Sequence, residues 1–341
     1  MWMKFNEDLT RQEVYANGNE LAWYLGRDRD SKGNKVYTHP TDKKIHLVTF
    51  HNPTLVTDEY RFGLMGENNA DLEGIAELSD YARENEITGP SMRYTLDKLD
   101  GRGVTVIEYE GSVLEFDQHK YPSVWGPSVD TLLFCRATRD IDLSNVKTAI
   151  EIGSGSGFIS KYMLEHFPNI EELTLVDLNE NCSNCFYDNL TDPKLRAKTE
   201  FVHGDALKFM KENKYDLIFC NPPYIPRPIG IGQDHYEDNP YEGVGLLVHL
   251  IQNSGLNLNE GGRFLTNVSS LSRSITDDII GAAPVDVREI DRMTVPLKVG
   301  SVLNNKSWKN YLLDGRGLMR EGHDGWEYWH DISILEVKPN E

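Results

Sequence analysis

The chain has 341 residues, 39% hydrophobic and 10% aromatic, which is enough apolar material for two domains or for one large domain with an appendage. Its net charge of -19, from 35 Lys+Arg against 54 Asp+Glu, repels phosphate backbones, and no dense Lys/Arg cluster offsets it, so a nucleic-acid partner is disfavoured. The polar start MWMKFNEDLT lacks the apolar core of a signal peptide, no window reaches the roughly 18 apolar residues of a membrane span, and a reduced, cytoplasmic location with no membrane partner is expected.

The first 120 residues are of mixed character. IHLVTFHNPTLV and YRFGLMG are β-like, DLEGIAELSDYAREN has helical spacing, and GVTVIEYEGSVLEF alternates about Glu110-Gly111 as a hairpin does. We read residues 1–120 as a separate, smaller α+β region for substrate recognition or dimerisation, which leaves a homodimer open.

From about residue 142 strands and helices alternate. VKTAIEI is a short apolar run, and SGFISKYMLEHF follows with helical spacing at Ile159, Met163 and Phe167. LTLVDL, TEFVHGD, YDLIFCNPP and GGRFLTNVSS are further strands. NENCSNCFYDNL, ALKFMKEN, GVGLLVHLIQNSGLNL and SITDDIIGAA are the helices between and after them. Near-continuous apolar strands alternating with helices predict a doubly wound parallel sheet covered on both faces. Two late extended runs, VDVREIDRMTVPL and WEYWHDISILEV, have no evident crossover helix between them and predict an antiparallel edge. A polar insertion at about 300–325 separates them.

The four cysteines are too few for a disulfide scaffold. Cys182 and Cys185 form a CxxC, yet no second pair of soft ligands accompanies them, so they read as structural thiols on one helix face and no metal is expected.

The chemistry lies at the strand ends. EIGSGSGF puts Gly153, Gly155 and Gly157 where a strand turns sharply into a helix, and backbone amides there can approach a ligand closely. The spacing is G-x-G-x-G, unlike the G-x-G-x-x-G of dinucleotide sites. Glu151, two residues earlier, suits a cationic or amino-bearing ligand. Asp177 ends the next strand, where a carboxylate can accept both hydroxyls of a ribose. Asp205 ends the third, where it can take an exocyclic adenine amine. Each acid alone reads as a helix cap. Together, facing the crevice where open α/β sheets bind ligands, they predict a nucleoside ligand.

The fourth strand runs into Asn221-Pro222-Pro223-Tyr224, a stiff extended corner closed by an amide and an aromatic ring. A planar nitrogen is a poor nucleophile because its lone pair is delocalised. The Asn221 side-chain oxygen and the Pro222 carbonyl can accept its two N–H bonds and turn the lone pair outward, while Tyr224 stacks on the planar group.

In this order, EIGSGSG, Asp177, Asp205 and NPPY resemble the class I S-adenosylmethionine-dependent methyltransferases over roughly residues 120–341. The resemblance implies a Rossmann-like, doubly wound α/β fold with an antiparallel last strand in a catalytic domain at 121–341. It implies S-adenosyl-L-methionine as cofactor and S-adenosyl-L-homocysteine as product. Glu151 and the Gly153–Gly157 loop would face the methionine end, Asp177 the ribose, Asp205 and Ala206 the adenine, with Asn221 touching both cofactor and acceptor. Within the class the chain is most similar to the HemK-like, release-factor glutamine methyltransferases: YPSVWGPSVDTLLFCRA, with Asp130-Thr131 opening a helix, resembles their entry segment, and YEGVGLLVHLI the start of their next helix. It lacks their Pro-Arg-Pro-Glu-Thr pattern, their small helical N-terminal domain has no match here, and the 300–325 insertion has no counterpart. N-methylation of a glutamine-like amide or guanidine in a protein or a small amino-acid derivative is therefore expected, with adenine-N6 or guanine-N2 methylation of nucleic acid as the alternative. Trp125 and Tyr236 stand near enough in sequence to help enclose an acceptor.

Overall fold

The computed structural model describes strand segments between residues 2 and 65, then residues 104–117, 120–121, 123–228, 230–231, 240–297 and most of 299–340. The chain divides into two compact units: Met1–Asp117 with Pro296–Asp314 and Met319–Trp329, and Gln118–Val295 with Gly315–Leu318 and His330–Glu341.

In the first unit β1 (Trp2–Phe5), β2 (Gln12–Ala16), β3 (Leu21–Tyr24), β7 (Val104–Tyr109) and β8 (Ser112–Asp117) form a sheet in the order β3-β2-β1-β7-β8. Strands β4 (Val36–Thr38), β5 (His46–His51) and β6 (Tyr60–Met65) form a second, antiparallel sheet. The expected hairpin is β7–β8. Its turn residues Glu110 and Gly111 both have positive φ, 50° and 86°, the backbone twist that matches a tight two-residue hairpin. The helix expected over DLEGIAELSDYAREN lies outside the described residues.

The second unit is built on β9 (Thr148–Ile152), β10 (Glu172–Asp177), β11 (Thr199–His203), β12 (Tyr215–Cys220), β13 (Leu258–Ser269), β14 (Val285–Pro296) and β16 (Trp326–Pro339). Their order is β11-β10-β9-β12-β13-β16-β14. Strands β9 to β13 pair in parallel, and β16 runs antiparallel to β13 with Phe264 opposite Val337. This is the expected doubly wound α/β sheet with an antiparallel last strand. The two late runs, β14 and β16, form one end of the sheet, with β16 between β13 and β14. To the first unit the 300–325 insertion contributes a helix, Lys306–Leu313, and β15 (Met319–His323), which pairs with the start of β16.

Burial explains why the strands read as continuous apolar runs. Successive residues of β12 point to opposite faces. Ile218 joins Ile150, Phe264, Leu247 and Ile251 in one hydrophobic core, with the last two on α4 (Gly245–Asn253). Phe219 stands 6.1 Å from the Phe134 ring of α1 (Val129–Thr138). Both faces of the sheet are thus covered, and both sets of side chains must be apolar. Helices α2 (Phe158–His166), α3 (Asn181–Asn189) and α5 (Arg273–Ala282) complete the layers. Ile159 and Met163 are buried as their spacing predicts, and so are Cys182 and Cys185 on α3.

The turn from β9 into α2 depends on Gly157, which caps α2 with φ 74°. A Cβ there would stand 2.4 Å from Cδ2 of buried Phe186. Gly157→Ala should therefore cost roughly 1–3 kcal/mol through backbone strain and overpacking. Urea denaturation of the variant would show it as a lower midpoint at unchanged slope, and an unchanged midpoint would refute it.

Candidate functional site

The strand registers bring the sequence-predicted residues to one end of the sheet. Ile152 lies beside Val176 on one side and Cys220 on the other, and Asp177 lies beside His203. The glycine turn, Asp177, Asp205 and Asn221 therefore all leave the sheet at the carboxyl ends of neighbouring parallel strands.

Two residues of that set are bonded directly. Gly155 N–H donates to Asp177 Oδ2 at 3.0 Å, while Asp177 Oδ1 accepts from Asn179 N–H at 2.9 Å. Gly153 N–H donates to the Val176 carbonyl at 2.8 Å. The segment before α1 lies along the turn: Ser156 N–H donates to the Trp125 carbonyl, and a Cβ on Gly155 would come within 3.3 Å of the same oxygen. The Trp125 side chain itself is 79% exposed. Tyr236 lies outside the described residues.

Glu151 is buried beneath the turn and accepts a hydrogen bond from the Ser160 hydroxyl. Burial raises its carboxyl to about 8, and nearby Asp177 adds to the shift. Asp205 is half-buried. It caps a single helical turn, Ala206–Phe209, by accepting from Leu207 N–H at 2.9 Å, so part of its acceptor capacity is used locally.

The NPPY corner converges on Asp130, in the first turn of α1. Asn221 Nδ2 donates to Asp130 Oδ2 at 3.0 Å, and the Tyr224 hydroxyl donates to the same oxygen at 3.0 Å. The Ser128 hydroxyl donates to the other carboxylate oxygen, and Asn267 Nδ2 donates to the Asp130 backbone carbonyl at 3.3 Å. A carboxylate only accepts, so the Asn221 amide must turn its nitrogen to Asp130 and its oxygen away. That oxygen, Oδ1, is buried and has no hydrogen-bond partner. Pro222 is buried and Pro223 exposed.

The rings beside this corner stay in one protonation state near neutrality. Desolvation, with the Asp130 carboxylate adding to it, holds the Tyr224 phenol well above its usual value, so it remains a donor. His330 on β16 is buried and 6.1 Å from the Tyr224 ring. Burial lowers it to about 4, and neutral His330 shares a hydrogen bond of 2.9 Å with Ser269 Oγ.

Asp130 was visible in the sequence only as a helix opener, and His330 and Asn267 were not singled out. Asn267 did leave a trace, as an amide inside the apolar run FLTNV. The cysteines behave as structural thiols. All four are buried, and burial pushes Cys185 up to about 12 and Cys182 and Cys220 upward as well. Among the described residues there is no His, Cys, Asp or Glu group able to hold a metal, and no helix long and apolar enough to cross a membrane.

Residues 137–265 match the family model of the methyltransferase small domain. The chain is 26% identical over 84 residues to the tRNA1(Val) (adenine(37)-N6)-methyltransferase of Vibrio vulnificus, covering 25% of this chain and 35% of that one. It is 28% identical over 101 residues to the ribosomal protein uL3 glutamine methyltransferase of Neisseria gonorrhoeae, covering 29% and 33%. It is 27% identical over 113 residues to Methyltransferase HEMK2 of Mus musculus, covering 32% and 52%. The chain thus spans about a third to a half of the length of these relatives.

The shifted carboxyl has a consequence for stability. Between about 4.5 and about 8 the folded chain keeps a proton on Glu151 that the unfolded chain releases. Its contribution to stability is therefore largest below the unfolded value and is lost as pH rises through about 8. Glu151→Gln removes this titration and keeps an acceptor for Ser160. The variant should lose less stability than the native chain between about pH 6 and about pH 9. Parallel pH profiles in urea denaturation would rule out a buried, proton-holding Glu151.

Proposed function

We propose that this chain, whose second unit is a class I methyltransferase domain of the NPPY type, carries a methyl group from S-adenosyl-L-methionine to a planar nitrogen. The preferred acceptor is a glutamine-like amide or guanidine in a protein or a small amino-acid derivative. The observation that carries the reading is the Asn221 amide, whose nitrogen is committed to Asp130 and whose oxygen is buried without a partner. An oriented, unpartnered acceptor of this kind suits an incoming N–H donor.

The cofactor fits the other half of the site. The glycine turn keeps side chains off a backbone edge where Gly153 and Gly155 have positive φ, with Glu151 beneath it and Asp177 beside it. Glu151 and Gly153, Gly155 and Gly157 would hold the methionine end, Asp177 the ribose hydroxyls, and Asp205 with Ala206 the adenine. Bound there, the cofactor supplies an electrophilic sulfonium methyl and departs as S-adenosyl-L-homocysteine.

The protein's part is orientation. Asn221 Oδ1 and the Pro222 carbonyl accept N–H bonds from the acceptor nitrogen, which loosens its conjugation and directs its lone pair at the methyl carbon. Tyr224, tied to Asp130 through its hydroxyl, holds its ring where a planar group can stack. Transfer would exchange the carbon–sulfur bond of the bound cofactor for a nitrogen–carbon bond, and the extra proton would leave the nitrogen for solvent afterwards. No strong base is required.

A second reading, an exocyclic adenine or guanine amine in nucleic acid, is favoured by the likeness to the tRNA adenine-N6 enzyme. The charge of -19 opposes it only as a long-range average. Incubating the protein and methyl-labelled cofactor with a whole-cell extract decides between them. Label in protein or small molecules supports the first reading, and label in RNA or DNA the second.

Asn221→Ala should leave cofactor affinity within a factor of a few and lower transfer by about 10²-fold or more. Unchanged turnover would sink the proposed site. Asp177→Ala should instead weaken binding of S-adenosyl-L-homocysteine, and equal heats of binding in calorimetry would reject its assignment.

A further inference from the structure

We infer that Arg316 is a positioning residue for the NPPY corner: its ion pair with Glu242 fixes the far end of the stiff segment that carries Asn221 and Tyr224. This rests on the N-methylation reading and adds to it a residue from the 300–325 insertion.

Residues 221–227 read NPPYIPR, with prolines at 222, 223 and 226. Each proline fixes its own φ and restricts the residue before it, so the two ends of the segment set the direction of what lies between. One end leaves β12 and is tied to Asp130 through Asn221 and Tyr224. At the other end Arg227 N–H donates to the Glu242 carbonyl at 2.7 Å.

Glu242 holds that carbonyl in place from a strained turn. Tyr241 and Glu242 have φ of 53° and 59°, and Gly243 follows at 88°. Left-handed backbone suits the glycine, whereas a residue with a Cβ is strained there. Among the described residues no other two adjacent non-glycine residues share it. Such a turn persists only where its surroundings hold it. Arg316 supplies the hold: Nη2 donates to Glu242 Oε1 at 3.1 Å, and Nη1 donates to the Ser274 hydroxyl on α5. The two charged side chains are only 21% and 27% exposed, so water screens the pair less than it would a surface pair.

Arg316 is itself firmly seated. Gly315–Leu318 belongs to the second unit, while the stretches on either side of it belong to the first. The Ser270 hydroxyl donates to the Gly317 carbonyl at 3.2 Å, and a Cβ on Gly317 would stand 3.0 Å from the Ser270 carbonyl oxygen. The same hydroxyl accepts from Asp331 N–H at 3.1 Å. Asp331 follows His330, whose ring is 6.1 Å from that of Tyr224. Contacts thus run from Tyr224 through His330, Ser270 and Arg316 to Glu242, and return to Tyr224 by Arg227. A guanidinium reaches Glu242 and Ser274 together because its nitrogens are fixed in a fork, which an ammonium lacks.

Three variants test the hold. R316M removes the charge, R316K keeps a charge and loses the fork, and E242G removes the ion pair while giving the turn the residue it favours. Each is followed by hydrogen exchange of the Arg227 amide, by calorimetry with S-adenosyl-L-homocysteine, and by label transfer into extract at saturating cofactor. For R316M and E242G we expect the Arg227 amide to exchange about tenfold faster or more and transfer to fall by about tenfold, with affinity for S-adenosyl-L-homocysteine within a factor of about three. R316K should fall between these and the native chain. The melting temperature of E242G should not drop, because strain is relieved as the pair is lost, and this separates positioning from general destabilisation.

Unchanged transfer in both R316M and E242G overturns the inference, and so does transfer that merely follows melting temperature across the three variants. An Arg227 amide that exchanges alike in R316M and the native chain also overturns it, with no acceptor needed. If the native chain neither binds S-adenosyl-L-homocysteine nor transfers label, the methyltransferase reading fails, and amide exchange still decides on the Arg316 hold. An active native chain with indifferent variants fails this inference alone.

Discussion

Strand β9 exchanges main-chain hydrogen bonds on both sides, with β10 and with β12, and both neighbours run parallel to it. Parallel neighbours force the chain to leave every strand at the same end and to return by a crossover. On one side of β9 the connections lead towards β11, on the other towards β13. The loops therefore part above β9, and the crevice between them is lined by the residues just beyond each strand: glycines, Asp177, Asp205 and the NPPY corner. Asp177 and Asp205 on one side of β9 and the NPPY corner on the other result from this pairing.

Around the NPPY corner, a single buried carboxylate organises three elements. Asp130 lies in the first turn of α1, where free backbone N–H groups favour negative charge. It accepts from Ser128, Asn221 and Tyr224, and its carbonyl accepts from Asn267. Those donors compensate a burial that would otherwise be costly. The result is directional: both amide nitrogens point to Asp130, and both amide oxygens are buried without a hydrogen-bond partner. Neutral His330 and protonated Tyr224 complete a corner that adds no charge of its own.

Much of this was legible in the residues. The apolar runs TAIEI and LIFC meant strands covered on both faces, and Ile218 and Phe219 do pack against opposite helix layers. Glu110-Gly111 signalled its hairpin because a two-residue turn between alternating runs favours positive φ, which both residues adopt. The place of β16, inside the sheet between β13 and β14, was not legible, since alternation marks a strand but carries no record of its neighbours. Net charge leaves the partner open for a related reason. It sums over the whole surface, while a binding site is local.

By itself the sequence determined the strand–helix order, the glycine turn and the rigid NPPY corner, because each is a local property of residues a few positions apart. Only the tertiary structure decided which way the Asn221 amide faces and what stands beside it. The groups that settle this, Asp130 and Asn267, lie 91 residues before Asn221 and one strand beyond it, and Asp130 and Asn267 are 137 residues apart. A side-chain amide is symmetric in shape, and only a partner that can accept and cannot donate tells its two ends apart.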